Sequence, residues 1–264
     1  MKRISIAIVI MAALMAVAVS CRKGGEGREV APREAEEGAK ADTIILKSEV
    51  VARSVPFLVL EMDPQKGHVA LADSVVPDIG DSTIVLCVEA AFTGELLEHF
   101  VSTNVAGDYA VDGRLRKGYR CKANTGFLAT EDGRPFIAPS ESLNAWLDKK
   151  HTGDWCMFQQ VLLVRNGKDV YAGKPIRRTS RNIYRAACIM RDRSFAVIQS
   201  LRKLPLGDFV SSLIALDVCD ALYLDMGPGW NYGWYRQTVE DAPTKFFLYR
   251  TPFQTNWLLV KARS

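Results

Sequence analysis

Histidine is scarce, with His68, His99 and His151 the only three in 264 residues. They are scattered in polar contexts, and none adjoins a serine or cysteine in a nucleophile motif, so triad-type hydrolysis has no obvious carrier. The chain has no glycine-rich loop ending in Lys-Ser or Lys-Thr and no HExxH, which removes nucleotide-cradling and zinc-peptidase chemistry of the familiar kinds. Its six cysteines form no CxxC pair and no metal-type spacing. Charge of one sign is also lacking. The formal balance is +4, and Lys2 and Arg3 at the extreme N-terminus supply part of it. The remainder is near neutral and gives no electrostatic case for nucleic acid. No internal repeat is evident.

The N-terminus carries the clearest address. Met1-Lys2-Arg3 is a positive n-region, residues 4–19 are an apolar run, and the small Ser20 precedes Cys21. The run is too short for an ordinary membrane span. A small residue followed by cysteine at this place resembles the lipobox of bacterial lipoproteins. The resemblance implies that residues 1–20 leave as a lipoprotein signal peptide and that Cys21 is acylated, anchoring the protein to a membrane. An ordinary signal peptide cleaved nearby would equally mean export. The expected location is the bacterial cell envelope, periplasmic or outer membrane. Residues 21–43 are rich in Gly, Glu, Arg, Lys and Ala with almost no large apolar side chain, and read as a flexible tether. Residues 44–264 fit one domain with ample material for a core.

Within that domain, Ile44-Ile45-Leu46, Phe57-Leu58-Val59-Leu60 and the β-branched run at 83–90 are strand candidates. Asn166-Gly167 between residues 161–164 and 169–171 is the strongest short hairpin signal. Residues 186–190 and 195–198 read as strands joined by the polar turn at 191–194. Residues 205–218 read as a helix opened by Pro205, with Phe209, Leu213, Leu216 and Ile214 on its apolar side. The reading is α+β: a single domain of mixed, strand-rich sheets with few helices. Cys87, Cys188 and Cys219 sit in apolar contexts as small hydrophobes, and an exported compartment would allow a Cys121–Cys156 disulfide.

Residues 213–234 are the stretch around which the chain is organised. Ala221-Leu222-Tyr223-Leu224 reads as a short, fully buried strand, and Asp225 falls where that strand ends. Gly227 and Gly229 allow close approach of backbone to a ligand, while Trp230, Tyr232, Trp234 and Tyr235 offer flat faces on which a sugar ring could stack. The alternative is an aspartate that caps a turn, with aromatics covering a sheet edge. Between residues 100 and 137, Asn and Gly recur with aromatics, as turns or as amides that hydrogen-bond hydroxyls. Arg177, Arg178, Arg181 and Arg185 are a candidate anion site or a charge-guarded strand edge.

The order of these pieces resembles the phosphodiester glycosidase family. Its elements correspond to Asn104-Val105-Ala106-Gly107, to residues 161–168, to Ser180-Arg181-Asn182-Ile183-Tyr184-Arg185 and to Asp220-Ala221-Leu222-Tyr223-Leu224-Asp225-Met226-Gly227. Met226-Gly227 stands where the family has paired glycines, and Pro228-Gly229-Trp230 replaces its serine-rich continuation. The resemblance implies hydrolysis of the glycosidic bond of a sugar-1-phosphodiester, with a carbohydrate or glycan-phosphate ligand. It assigns Asp225 to the anomeric centre, Asn104 to the sugar hydroxyls, and either Arg181 or Arg185 to the phosphate; Trp230, Tyr232 and Trp234 would hold the sugar. No cofactor is implied, and calcium at Asp108, Glu131 or Asp132 is the one metal option, against simple solvation of those acids. The rival reading is a non-catalytic glycan-binding lipoprotein on the same scaffold, motivated by Met226 and Pro228. An envelope-structure protein with no small ligand is a third.

Overall fold

The run Phe57-Leu58-Val59-Leu60 is apolar without alternation because both of its faces are covered. Phe57 and Val59 belong to one buried cluster, and Leu58 and Leu60 to another. The computed structural model describes residues 41–73, 75–92, 105–131, 133–172, 181–226, 232–247 and 255–263. Residues 1–40, with Cys21, the signal segment and all of the expected tether but its last three residues, lie outside that set. So do Asn104, Asp132, Arg177, Arg178 and residues 227–231, which include Pro228 and Trp230. Thr43, at the end of that tether, is buried. No described helix is long and apolar enough to cross a membrane.

Strands are numbered in chain order. A seven-stranded sheet runs β1 (Ile45–Ala52), β2 (Val55–Met62), β14 (Phe195–Ser200), β13 (Arg185–Met190), β16 (Val218–Leu224), β10 (Leu162–Arg165) and β11 (Lys168–Asp169). Its first face is covered by helix α2 (Leu206–Ala215), whose Phe209, Val210 and Leu213 have no exposed surface. Each of these side chains contributes roughly 1.5–3 kcal/mol by leaving water. Leu216 caps that helix and Asp217 ends it at φ 63°.

The second face packs on a five-stranded sheet, β18 (Thr244–Phe247), β17 (Gly233–Tyr235), β4 (Ile84–Glu89), β19 (Asn256–Ala262) and β3 (Gly67–Asp73). Leu60, Ala187, Val197, Leu222 and Leu224 meet Leu86, Val88, Leu258 and Val260 there. A further five-stranded sheet consists of β6 (Arg114–Arg116), β5 (Tyr109–Val111), β9 (Met157–Gln160), β7 (Gly126–Glu131) and β8 (Arg134–Pro139). Phe127, Ala129 and Met157 of this sheet pack on Leu143 and Trp146 of the five-residue helix α1 (Leu143–Leu147). Leu128, one residue out of phase, faces the main core. A two-stranded pair joins β12 (Arg181–Asn182) to β15 (Leu204–Pro205).

The described residues form one strand-rich unit, mostly β, with two short α-helices. The sheets are not mixed: every ladder between described strands is antiparallel. Apolar alternation in the sequence reports which face is buried and carries nothing about strand direction, which explains the difference from the expected mixture. The Asn166-Gly167 hairpin forms as expected, with φ of 50° and 72° at the two turn residues. Cys121 and Cys156 are free thiols, so no disulfide joins them.

Candidate functional site

The polar centre lies where the second sheet meets the seven-stranded one. In β4 an unbroken apolar run, Ile84 to Val88, ends in Glu89, which has no exposed surface. In β16 the run ends at Leu224, and Asp225 follows, also without exposed surface. Arg185 opens β13 opposite Leu224 and Gln199, with its guanidinium likewise at 0% exposure. Asn256 opens β19 beside the end of β4. Antiparallel pairing thus brings strand ends from distant parts of the chain to one level.

Ala90 and Ala91 join the layers. The Asp225 amide donates to Ala90 O at 3.0 Å, and Gln160 Nε2 reaches the same oxygen at 3.4 Å. The Ala91 amide donates to Asn256 Oδ1 at 2.8 Å. No side chain larger than a methyl intrudes at these two positions, so the polar groups around them can converge.

Arg185 is held from several sides. Its Nε donates to Gln199 Oε1 at 2.9 Å, its Nη1 to Tyr232 O at 3.2 Å, and its guanidinium lies 4.7 Å from the Phe246 ring centre. The Tyr232 amide turns the other way and donates to Glu89 Oε2 at 3.3 Å. Burial brings Arg185 down to about 10, opposed first by the negative charge of Glu89 and then by Tyr223, Cys87 and Asp225. At neutral pH the guanidinium is therefore still charged. Burial, with help from Asp225 and Tyr184, pushes the Tyr223 phenol well up, so it remains a neutral donor. A Cβ at Gly233 would stand 3.1 Å from Arg185 Nη2 and 2.7 Å from Phe246 Cζ, which leaves that position to glycine.

Of the two arginines expected at the phosphate, Arg185 enters this centre. Arg181 is exposed in β12, where its Nη2 donates to Lys203 O at 3.1 Å. Trp234 does not offer a face to a sugar. It is fully buried among Ile84, Cys87, Trp257 and Leu259, and the Arg236 guanidinium lies 5.4 Å from its ring centre. Tyr235 is buried against Phe246. Tyr232 is partly exposed and meets Trp257 edge-on, at 5.8 Å between ring centres and 89° between planes. Met226 is half-buried, and its amide donates to the Tyr223 hydroxyl. Asp108 is engaged by Lys117 at 2.7 Å, and Glu131 accepts from Trp146 Nε1 at 2.6 Å. Among the described residues no three of His, Cys, Asp and Glu gather in a way that could hold a metal ion.

Glu89, Gln160, Gln199 and Asn256 were not legible as site residues in the sequence. The one signal was a charged or amide residue closing an otherwise apolar strand, as in IVLCVE and FAVIQS.

Antiparallel sheets packed face to face, with a buried arginine and two carboxylates at one set of strand ends, define the class: a strand-rich domain with a charged centre between its layers. No protein-family model and no curated protein matches the chain. Among solved structures it is similar to the zebrafish N-acetylglucosamine-1-phosphodiester alpha-N-acetylglucosaminidase catalytic domain, auto-inhibited by pro-peptide. The TM-score is 0.56 at 13% identity, over 89% of this chain and 88% of that one. A hypothetical protein from Synechocystis aligns at a TM-score of 0.48 and 11% identity, over 83% of this chain and 62% of that one. The zebrafish likeness, at so low an identity, is a distant relationship of fold.

Proposed function

We propose that this chain is an exported lipoprotein, anchored through Cys21 in the bacterial envelope, that hydrolyses the glycosidic bond of a sugar-1-phosphodiester. The observation that carries the reading is the charged Arg185, buried and supported by the negative charges of the likewise buried Glu89 and Asp225, on a fold shared with a phosphodiester glycosidase catalytic domain. Hydrolysis at an anomeric carbon passes through an oxocarbenium-like centre and calls for carboxylates near it. Glu89 and Asp225 supply two. In the proposed step, water adds to the anomeric carbon and gives its proton to one carboxylate. The carbon–oxygen bond to phosphate breaks, and the bonding pair leaves with the phosphomonoester. Arg185 stabilises the charge that gathers on the departing phosphate. Asn104 orients sugar hydroxyls.

The glycan-binding alternative uses the same aromatic residues, and burial of Trp234 and Tyr235 withdraws those two faces from either reading. The test is a panel of chromogenic sugar-1-phosphodiesters, with the wild type run beside Asp225→Asn and Glu89→Gln. Turnover that is lost in both folded variants supports the reading. Absence of turnover with every member, together with glycan binding that depends on Trp230, overturns it in favour of a binder. Labelling of Cys21 by a fatty-acid analogue in a bacterial host, lost in Cys21→Ser, tests the anchor.

A further inference from the structure

A concavity lies at the ends of these strands opposite to the Arg185 centre. It has a volume of about 740 Å³ and is lined by the β7–β8 hairpin on one side and by the ends of β10, β13 and β16 on the other. That volume falls within the range of small-molecule sites. Asp220, on its wall, is five residues before Asp225 on the same strand, so the two sites are separated by roughly 16 Å of extended chain.

Its charges are arranged rather than scattered. Arg165 Nη1 donates both to Ile137 O on β8, at 2.7 Å, and to Oδ1 of the buried Asp220, at 3.1 Å. The Asn166 amide donates to the same carboxylate oxygen at 3.0 Å. The guanidinium is thereby fixed across the junction of two sheets, and its Nε and Nη2 donors have no protein acceptor among the described residues. Arg134, at the hairpin tip, and Arg193, in the β13–β14 turn, line the same groove. Neither has an ion-pair partner among the described residues. Of the two acids among the described lining residues, Asp220 is taken up by Arg165, and Glu131 is held by Trp146 Nε1. Pro135 and Phe136, both partly exposed, line the groove as well and give its mainly polar surface an apolar portion.

We propose that this groove binds a phosphorylated ligand, with its phosphate on Arg134, Arg165 and Arg193 and a ring or other apolar body against Pro135 and Phe136. Arginine forks match phosphate oxygens in pairs, and a guanidinium already immobilised by a buried carboxylate loses little freedom on binding. The site is independent of the strand-end centre and of the activity proposed for it.

Phenylphosphonate tests the assignment, since it joins a phosphate-like dianion to an aromatic ring and has no ester bond to cleave. Titrated into the purified full chain and followed through backbone amides by NMR, it is expected to shift Arg134, Asn166, Gly167 and Arg193 saturably. The expected dissociation constant is on the order of a millimolar or tighter. A double variant, Arg134→Gln with Arg193→Asn, is expected to weaken binding about tenfold or more. Asparagine suits the φ of 74° at position 193, so the turn is kept. Benzyl alcohol, a neutral ring, is expected to shift nothing. Absence of saturable shifts, equal affinity in a folded double variant, or shifts confined to Gln199, Tyr223 and Tyr232 would each overturn the proposal.

Discussion

Arg185 and Gln199 face each other across adjacent strands in register, and Arg185 Nε donates to Gln199 Oε1 at 2.9 Å. Gln199 is itself buried, so no water replaces it as an acceptor. Replacing it by leucine leaves a buried cationic donor without that partner. The expected cost is about 1–3 kcal/mol, read as a lower urea midpoint with an unchanged slope. A change below about 0.5 kcal/mol would mean that the other contacts of Arg185 carry it unaided.

The two carboxylates are expected to separate kinetically. If one is the base that accepts water's proton, its amide variant loses about 10²–10⁴ in kcat and also loses the acid limb of the pH–rate profile. The variant of the other, acting through charge alone, loses rate and keeps that limb. Profiles of Glu89→Gln and Asp225→Asn therefore assign the roles, and two identical profiles would mean that the pair works as a unit.

Gly118 has a more local part. A Cβ there would land on the carbonyl oxygen of Gly107, in the segment where the Tyr119 amide donates to Val105 O at 2.8 Å and the Gly107 amide to Tyr119 O at 2.6 Å. Both colliding groups are backbone, so neither can step aside cheaply. Gly118→Ala is expected to destabilise the protein by roughly 1–3 kcal/mol by thermal or urea unfolding.

The thiols give a prediction for alkaline conditions. Burial pushes Cys156 from 9.0 up to about 12, and pushes Cys87 and Cys188 well up. In the unfolded chain these thiols ionise first, so between about pH 9 and about pH 12 the unfolded state binds fewer protons and stability falls as pH rises. Below that window the contribution is fully present. For Cys156→Ala the fall in stability between about pH 8 and about pH 10.5 should be smaller than in the wild type by about 2 kcal/mol. A disulfide-exchange reagent near pH 8 should modify Cys121 in the native protein while Cys87, Cys156 and Cys188 wait for unfolding.

Much of the framework was legible because its signals are local. The Asn166-Gly167 hairpin, the β4 run and the helix after Pro205 each declare themselves within a dozen residues. Asp225 was visible as a carboxylate closing a buried strand. Glu89 closes β4 in the same way, yet its significance depends on Arg185 and Tyr232, which only folding brings near. Asn256 meets Ala91 because β19 lies beside β4, and no pattern within either segment encodes that neighbour. Trp234 was misread for a related reason. A tryptophan beside a glycine looks the same in sequence whether the sheet covers it or leaves it open, and here Trp257 and Leu259 cover it. The groove at Arg165 went unread because its arginines are separated along the chain and meet only where a hairpin crosses strand ends.

β19 lies in the interior of its sheet, between β4 and β3, both of which precede it by well over a hundred residues. During synthesis β3 and β4 can therefore find no final partner in each other, and the sheet stays open until residues 256–262 have left the ribosome. Such long-range closure makes folding slow and late. Until then the facing edges of β3 and β4 stand unpaired, open to pairing with any other strand they meet.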